Sequence, residues 1–363
     1  MEIITNKQGI FIVSIFIMGS FMVLGSGFGV KQDVWIAIII GFVMSLPMLI
    51  IYSKILLLFP GKDLFDILIE VFGNIVGKII SMLFVWYAFH LGSLVIRNFS
   101  EFVNVVSFPE TPQFILIAFL GLLCIWVSKA GIEVLGRWAA FVFPILMFIL
   151  ITTIIFSMPN AHFINLKPVL YNGVKPVLTS AFSIFTFPFA ETVVFIMIFN
   201  TLKQNKKTSR VFFLGALIGC GIMILISVRN ILVLGPQVAS DYYFPSYIAV
   251  RTINIGDFLQ RIEVVVAIVF VTGGFLKISV CLCAATRGAA KILNIKNYRH
   301  IVAPIGLLMM DLAIIIYENT MEMFDWAAKI YQYYAIPFQI ILPIAILIAA
   351  KIKLRNKGNA VQA

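Results

Sequence analysis

Apolar residues in this chain come in long unbroken runs separated by short polar connections. The runs fall at about 8–28, 34–58, 77–100, 112–128, 134–157, 178–200, 211–235, 262–288, 299–318 and 331–350. A helical run of about 20 apolar residues crosses a hydrocarbon core of roughly 30 Å, so the pattern predicts ten transmembrane helices in a single domain, 1–363. The short alternating segments of a membrane β-barrel are missing. The first run, Gly9 to Leu24, follows one Lys and has no small-residue cleavage site ahead of the next run. It is expected to be a retained span. Gly61–Gly77 pairs apolar positions at helical spacing with Asp63, Asp66 and Glu70, which predicts an amphipathic helix lying on one membrane face. Two connections on the other face are long. One is Pro159–Val177, with Pro168 and Pro176; the other is Gly235–Asp257, whose Tyr242, Tyr243, Phe244, Pro245 and Tyr247 suit an interface.

Composition supports this reading: 61% of residues are hydrophobic, 12% charged, and mean hydropathy is +1.05. The net charge of +11 raises the question of nucleic acid, but the placement of the charges answers it. With ten spans both ends share a face. Eighteen of the 27 Lys and Arg residues lie in loops of that face and seven in loops of the other, while Arg229 and Lys277 sit within spans. That bias orients membrane helices. It predicts cytoplasmic ends, a short basic tail at 351–363, the bilayer as a partner and no role for nucleic acid. Cys124, Cys220, Cys281 and Cys283 all lie in apolar runs without metal-ligand spacing, so no metal is expected. Phosphate loops, nucleophile elbows and HExxH are absent, which predicts neither an enzyme nor a cofactor.

Two spans carry features that a plain anchor would lack. Phe182–Asn200 contains Phe187, Pro188, Phe189, Ala190 and Glu191 near its middle. Pro188 has no amide hydrogen and its ring collides with the preceding turn, so the helix must kink or open. A carboxylate at mid-membrane depth costs roughly 3 kcal/mol and is functional by default. In the first turn of a new half-helix Glu191 would meet free amides and a positive dipole end. The plainer alternative is a kinked packing helix whose Glu pairs with a neighbour. Span one has Gly19, Ser20, Gly25, Ser26, Gly27 and Gly29 in its second half, which weakens a helix, although small residues also serve close helix packing. Interrupted first and sixth spans fit an inverted repeat of five plus five, about 8–157 and about 178–350. Gly19, Ser20 and Phe187 to Glu191 are then the expected ligand-binding residues. Lys277 is interior to span eight and needs a carboxylate, a cluster of carbonyls or deprotonation. His90 is expected to be a satisfied core residue, and Arg229 and Asp311 lie near the outer ends of their spans.

FPFAE at 187–191, GIEVLGR at 131–137, FPETP at 108–112, FPSYIAVR at 244–251 and FLQRIE at 258–263 resemble, in order and spacing, the B subunit of spore germinant receptors. This is the endospore-germination family of the amino acid–polyamine–organocation superfamily. One departure is Ala190, where the family pattern has Gly. The resemblance implies a leucine-transporter-type fold with helices one and six broken around a site for an amino acid or similar nutrient. It also implies a spore inner membrane location, an A subunit and a C lipoprotein as partners, and a role in triggering germination. An ordinary proton-coupled amino acid transporter, using Glu191 or Lys277 for coupling, is the alternative. In that fold span eight borders the break in span one, where sodium-coupled members hold an ion. The expectation drawn from this is that the Lys277 ammonium takes the sodium position, on carbonyls between about Met18 and Gly25. An ion pair with Glu191 is the competing arrangement.

Overall fold

The structure is a computed structural model that describes residues 2–24, 28–203, 207–253 and 263–362. Among these there is no β-sheet, only one isolated parallel bridge between Ile4 and Leu202. Eight helices among the described residues are long and apolar enough to cross a membrane, and two shorter apolar ones, Asn6–Gly19 and Val302–Ile315, stand where the first and ninth of the expected ten spans fall.

The first five spans are α1 (Asn6–Leu24), α2 (Val34–Leu58), α4 (Asn74–Ser107), α5 (Gln113–Ala130) and α6 (Ile132–Ser157), with a short α3 (Leu64–Phe72) between the second and third. Span six is composite, opening as α7 (Val174–Ile184). Then come α8 (Thr208–Leu234), two short outer helices α9 (Pro236–Asp241) and α10 (Pro245–Arg251), α11 (Glu263–Ile292) and α12 (Val302–Ile315). Span ten joins α13 (Thr320–Asp325), α14 (Tyr331–Ile336) and α15 (Leu342–Gln362) through two π-helical turns. It begins at Thr320, ahead of the expected 331, because Trp326–Ile330 continues the helix instead of forming a loop.

The helix boundaries follow local chemistry. The Asp63 carboxylate accepts the Asp66 amide at 2.9 Å and so caps α3. Gly73, at φ 82°, ends α3 and turns directly into α4, a conformation that a Cβ would oppose. α3 does not simply rest on the membrane face as expected. Its Leu64, Phe65, Ile67 and Leu68 are buried, Gly77 of α4 lies against the Leu68 carbonyl, and Gly288 of α11 lies against the Phe65 ring. The outer surface is a belt of exposed apolar side chains such as Trp126, Phe141 and Phe148, which lipid rather than water tolerates.

Span one packs on span seven, and span six on span two, the exchange that an inverted five-plus-five repeat produces. Small residues bring the first pair close. A Cβ at Gly215 would stand 2.5 Å from Val13, and one at Gly219 2.8 Å from Ile17. Both ends of the chain lie at one face. There Glu2 meets Arg287 and Arg299, and Lys353 of α15 donates to the Glu70 carbonyl of α3. We call this the basic face.

Candidate functional site

Span six breaks where Pro188 demands it. α7 passes into a π-helical turn at Phe185–Phe189, in which Phe187 leaves helical geometry at φ −138°, ψ 108°. A tighter 3-10 helix, Ala190–Met197, resumes beyond it, with Glu191 in its first turn. Backbone carbonyls around the break meet side chains of spans two, six and ten. Gln339 of span ten donates to the Thr186 carbonyl at 2.9 Å, the Tyr52 hydroxyl of α2, which donates to the Gln339 carbonyl at 2.6 Å, stands 3.3 Å from the Ala190 carbonyl, and Thr192 of span six itself donates to the Phe189 carbonyl at 2.6 Å.

Glu191 is fully buried, and its carboxylate is shared between two partners. One oxygen takes the Lys277 ammonium of α11 and the other accepts the Tyr331 hydroxyl at 2.6 Å. The single Tyr331 proton is therefore committed to the carboxylate. Tyr87, 3.2 Å away, must then donate to the Tyr331 oxygen, and Tyr87 itself accepts from Gln339 at 2.9 Å. The result is a directed chain across spans three, six and ten: Gln339 to Tyr87 to Tyr331 to Glu191. Each donor reinforces the next where little water screens them. The Lys277 ammonium also lies over two rings, 4.6 Å from the Phe16 centroid and 5.0 Å from that of Phe187. Lys277 therefore meets the carboxylate, the arrangement named as the competing one, while part of the span-one stretch whose carbonyls it was expected to bond lies outside the described residues. The physical reason is proximity. The break turns Glu191 toward α11, where its carboxylate neutralises a dehydrated ammonium.

The other predicted ligand residues divide. Phe187 and Glu191 line a cavity beside the ion pair, while Pro188, Phe189 and Ala190 are buried in the wall of the break. Gly19 is elsewhere and does something else. It is helical, and a Cβ there would stand 2.8 Å from the Gly273 backbone of α11, so it serves helix crossing instead of ligand contact. Ser20 is likewise within the α1 helix rather than in unwound backbone. Gly25 to Gly27, where the Gly-Ser run was expected to open, lie outside the described residues.

The cavity measures about 20 Å³, roughly the room one water needs. Its walls add residues that the sequence reading missed: Asn98 of α4, and Trp326 and Tyr331 of span ten. The buried Asn98 Oδ1 and Trp326 Nε1 atoms have no hydrogen-bond partner. Above them, Arg97 donates to the Ile314 carbonyl at 2.9 Å, at the end of α12 where a cation is favoured, and Thr320 donates to Glu101. These bonds strap the α12–α13 connection over the cavity. Polar side chains deep in spans were the available signal, and Gln339, near the middle of an apolar run, was the plainest of them.

The remaining polar residues play lesser parts. His90 stacks on Trp86 with centroids 5.4 Å apart, and its Nδ1 has no partner, so it is a core residue that is not satisfied as expected. Buried Arg229 donates to Asn230 at 2.9 Å, and Asp311 is exposed on α12. The four cysteines are buried and free, and no group of three or more potential ligands for a metal occurs among the described residues.

A family model described as "Spore germination protein" matches residues 3–322. The chain belongs to the spore germination protein family. Within that family it is 30% identical over 368 residues to spore germination protein KB of Bacillus subtilis (strain 168), which covers 99% of this chain and 98% of that protein. The putative spore germination protein YfkT of the same organism is 26% identical, over 89% of this chain and 88% of that one. Among solved structures, Mhp1, a nucleobase-cation-symport-1 family transporter closed on bromovinylhydantoin, superposes with TM-score 0.67 at 10% identity, over 95% of this chain and 78% of its own. MhsT in complex with L-phenylalanine gives 0.62 at 12% identity, over 94% and 97%. At such identities the likeness concerns fold alone. This family member is a multi-pass membrane protein of the leucine-transporter type.

Proposed function

We propose that this chain is the nutrient-sensing membrane subunit of a spore germinant receptor, and that the nutrient, an amino acid or similar small molecule, acts at the break in span six. The observation that carries this reading is a fully buried ion pair, Glu191 with Lys277, bordering a cavity where Asn98 Oδ1 and Trp326 Nε1 have nothing to bond. Buried polar atoms without partners cost about 1–3 kcal/mol each, which a ligand would recover. The cavity is too small for an amino acid, so binding must open the pair and lift the strap above it. A zwitterion can replace both partners at once, its ammonium taking Glu191 and its carboxylate taking Lys277. Neither buried charge is then left alone. The rearrangement would pass along α11 and span ten to the rest of the receptor.

On this reading the chain works with an A subunit and a C lipoprotein in the spore inner membrane, with both ends on the cytoplasmic, spore-core side, as the excess of basic residues at that face supports. Names of relatives such as spore germination protein KB support the germination role. The hydrogen-bonded chain ending at Glu191 also suits proton-coupled transport of an amino acid. Two experiments separate the readings. Co-purification from spores, followed by nutrient-dependent thermal stabilisation of the complex, supports the receptor. Accumulation of labelled amino acid by vesicles holding this chain alone, driven by a proton gradient, would establish the transporter instead.

A further inference from the structure

The basic face holds a second polar cavity, far larger than the first at about 930 Å³. It lies between α3, the end of span six and the stretch from Arg287 to Arg299. Its walls carry Lys203, Arg287, Lys291, Lys296 and Arg299 against Glu2, Asp63 and Asp66. Lys291 pairs with Asp66, and the Asp63 carboxylate caps α3. Lys203 and Lys296 have no carboxylate within ion-pair distance among the described residues, so the vestibule keeps a positive excess.

At its edge four donors from three places converge on one carboxylate, that of Glu2. Arg287 Nη2 reaches one oxygen at 2.5 Å and the Ile132 amide approaches the same oxygen at 3.4 Å. The Tyr298 hydroxyl and Arg299 Nη2 reach the other at 2.8 and 2.9 Å. Arg287 is held in place by Asn200 at 3.3 Å and by the Tyr298 ring, 5.2 Å from its guanidinium, and its buried Nε has no partner. Burial pushes the Glu2 carboxyl up, but the Arg287 charge and the hydrogen bonds outweigh it and leave the group below its ordinary value. Two guanidiniums, a phenol and a backbone amide on one carboxylate form the donor set that binds free carboxylates and phosphates. The occupant is attached to a latch. Two residues on, Ile4 is fully buried, its amide donating to the Thr201 carbonyl at 2.9 Å while Lys203 donates back to Ile4 at 2.9 Å. Ile4 thus ties the chain ahead of span one to the end of span six, and Glu2, two residues before it, anchors the same stretch to α6, α11 and the Tyr298–Arg299 turn.

We propose that Arg287, Tyr298, Arg299 and the Ile132 amide form a binding site for a small carboxylate- or phosphate-bearing anion, which Glu2 occupies as a tethered surrogate. A free anion entering from the vestibule competes with Glu2 and releases the latch between spans one and six. The tether gives Glu2 a millimolar-range effective concentration, so the parent site answers only to anions at comparable levels.

The test uses the full-length chain in nanodiscs, with inorganic phosphate and acetate as probes and chloride at matched ionic strength as control. Ile4→Cys is the reporter, since the native cysteines are buried and a maleimide reaches residue 4 only when the latch opens. Phosphate or acetate should accelerate labelling beyond the chloride control. Glu2→Gln, by removing one charge-assisted contact, should lower the phosphate concentration for half-maximal thermal stabilisation about tenfold. Arg299→Gln, on a partly exposed side chain, should weaken that stabilisation in the Glu2→Gln background, and Arg287→Gln should abolish it. The proposal is overturned if labelling of Ile4→Cys responds only to ionic strength. It is equally overturned if Glu2→Gln gains no phosphate-dependent stabilisation.

Discussion

Lys277 and Arg287 stand on the same helix, α11, ten residues or about 15 Å apart, and each meets a carboxylate from a distant part of the chain. Their surroundings set them apart. The Lys277–Glu191 pair is fully buried, with aromatic rings around the ammonium and one hydroxyl on the carboxylate. The Arg287–Glu2 pair sits at the edge of a wide polar vestibule, and its carboxylate has four donors. Losing one partner of the first strands a charge in a dry place; losing one partner of the second leaves groups that water can reach. The inner pair is therefore suited to respond only to a ligand that supplies both charges, and the outer pair to ordinary competition by an anion.

The largest effect should come from breaking the inner pair on one side. Lys277→Met leaves the Glu191 carboxylate with Tyr331 alone, and stability should fall by about 3–5 kcal/mol, read as a large drop in the unfolding temperature in detergent. Adding Glu191→Gln should restore most of that loss, whereas a second loss as large as the first would mean that the two residues do not act as a pair. Tyr331→Phe removes one hydrogen bond to a charged group and should cost about 1.5–3 kcal/mol in the same assay. Gly273→Ala tests the neighbouring crossing. Its new methyl would meet the Gly19 Cα at 2.7 Å, backbone that cannot yield, so a loss of about 1–3 kcal/mol is expected, with nutrient preference unchanged.

The smallest effect concerns the vestibule and pH. Burial, and then the charge of Asp66, push the Asp63 carboxyl from 3.8 up to about 6, against the pull of Lys291 and Arg287. The group prefers its proton in the folded state. Its stabilising contribution is therefore complete below the ordinary carboxylate range and fades as pH rises through about 6. Asp63→Asn, which keeps the helix cap, should flatten the stability profile between those values. An unchanged slope would show that Asp63 is not the titrating group.

Much of this was legible in the sequence because membrane burial writes itself into composition. The ten spans, the break at Pro188 and the conspicuous Glu191 all follow from what lipid forbids. Which of its two candidate partners Lys277 takes was not legible, since it depends on how two helices 86 positions apart in sequence rotate toward each other. Gly19 was misread for a related reason: a glycine that weakens a helix and one that admits another helix look alike until the neighbour is known. Tyr87 and Tyr331 went unnoticed because tyrosines in spans usually mark interfaces. Asn98 and Trp326 became conspicuous only once a cavity showed their polar atoms without partners.

The central claim is that the nutrient acts by replacing both partners of the Glu191–Lys277 pair. Thermal stabilisation by each standard amino acid should be measured on the purified receptor complex, for the parent and for Glu191→Gln with Lys277→Met. The account predicts that the double variant stays folded, near the parent's baseline unfolding temperature, and loses all nutrient-dependent stabilisation. A double variant stabilised by the same amino acid to the same extent as the parent would contradict it.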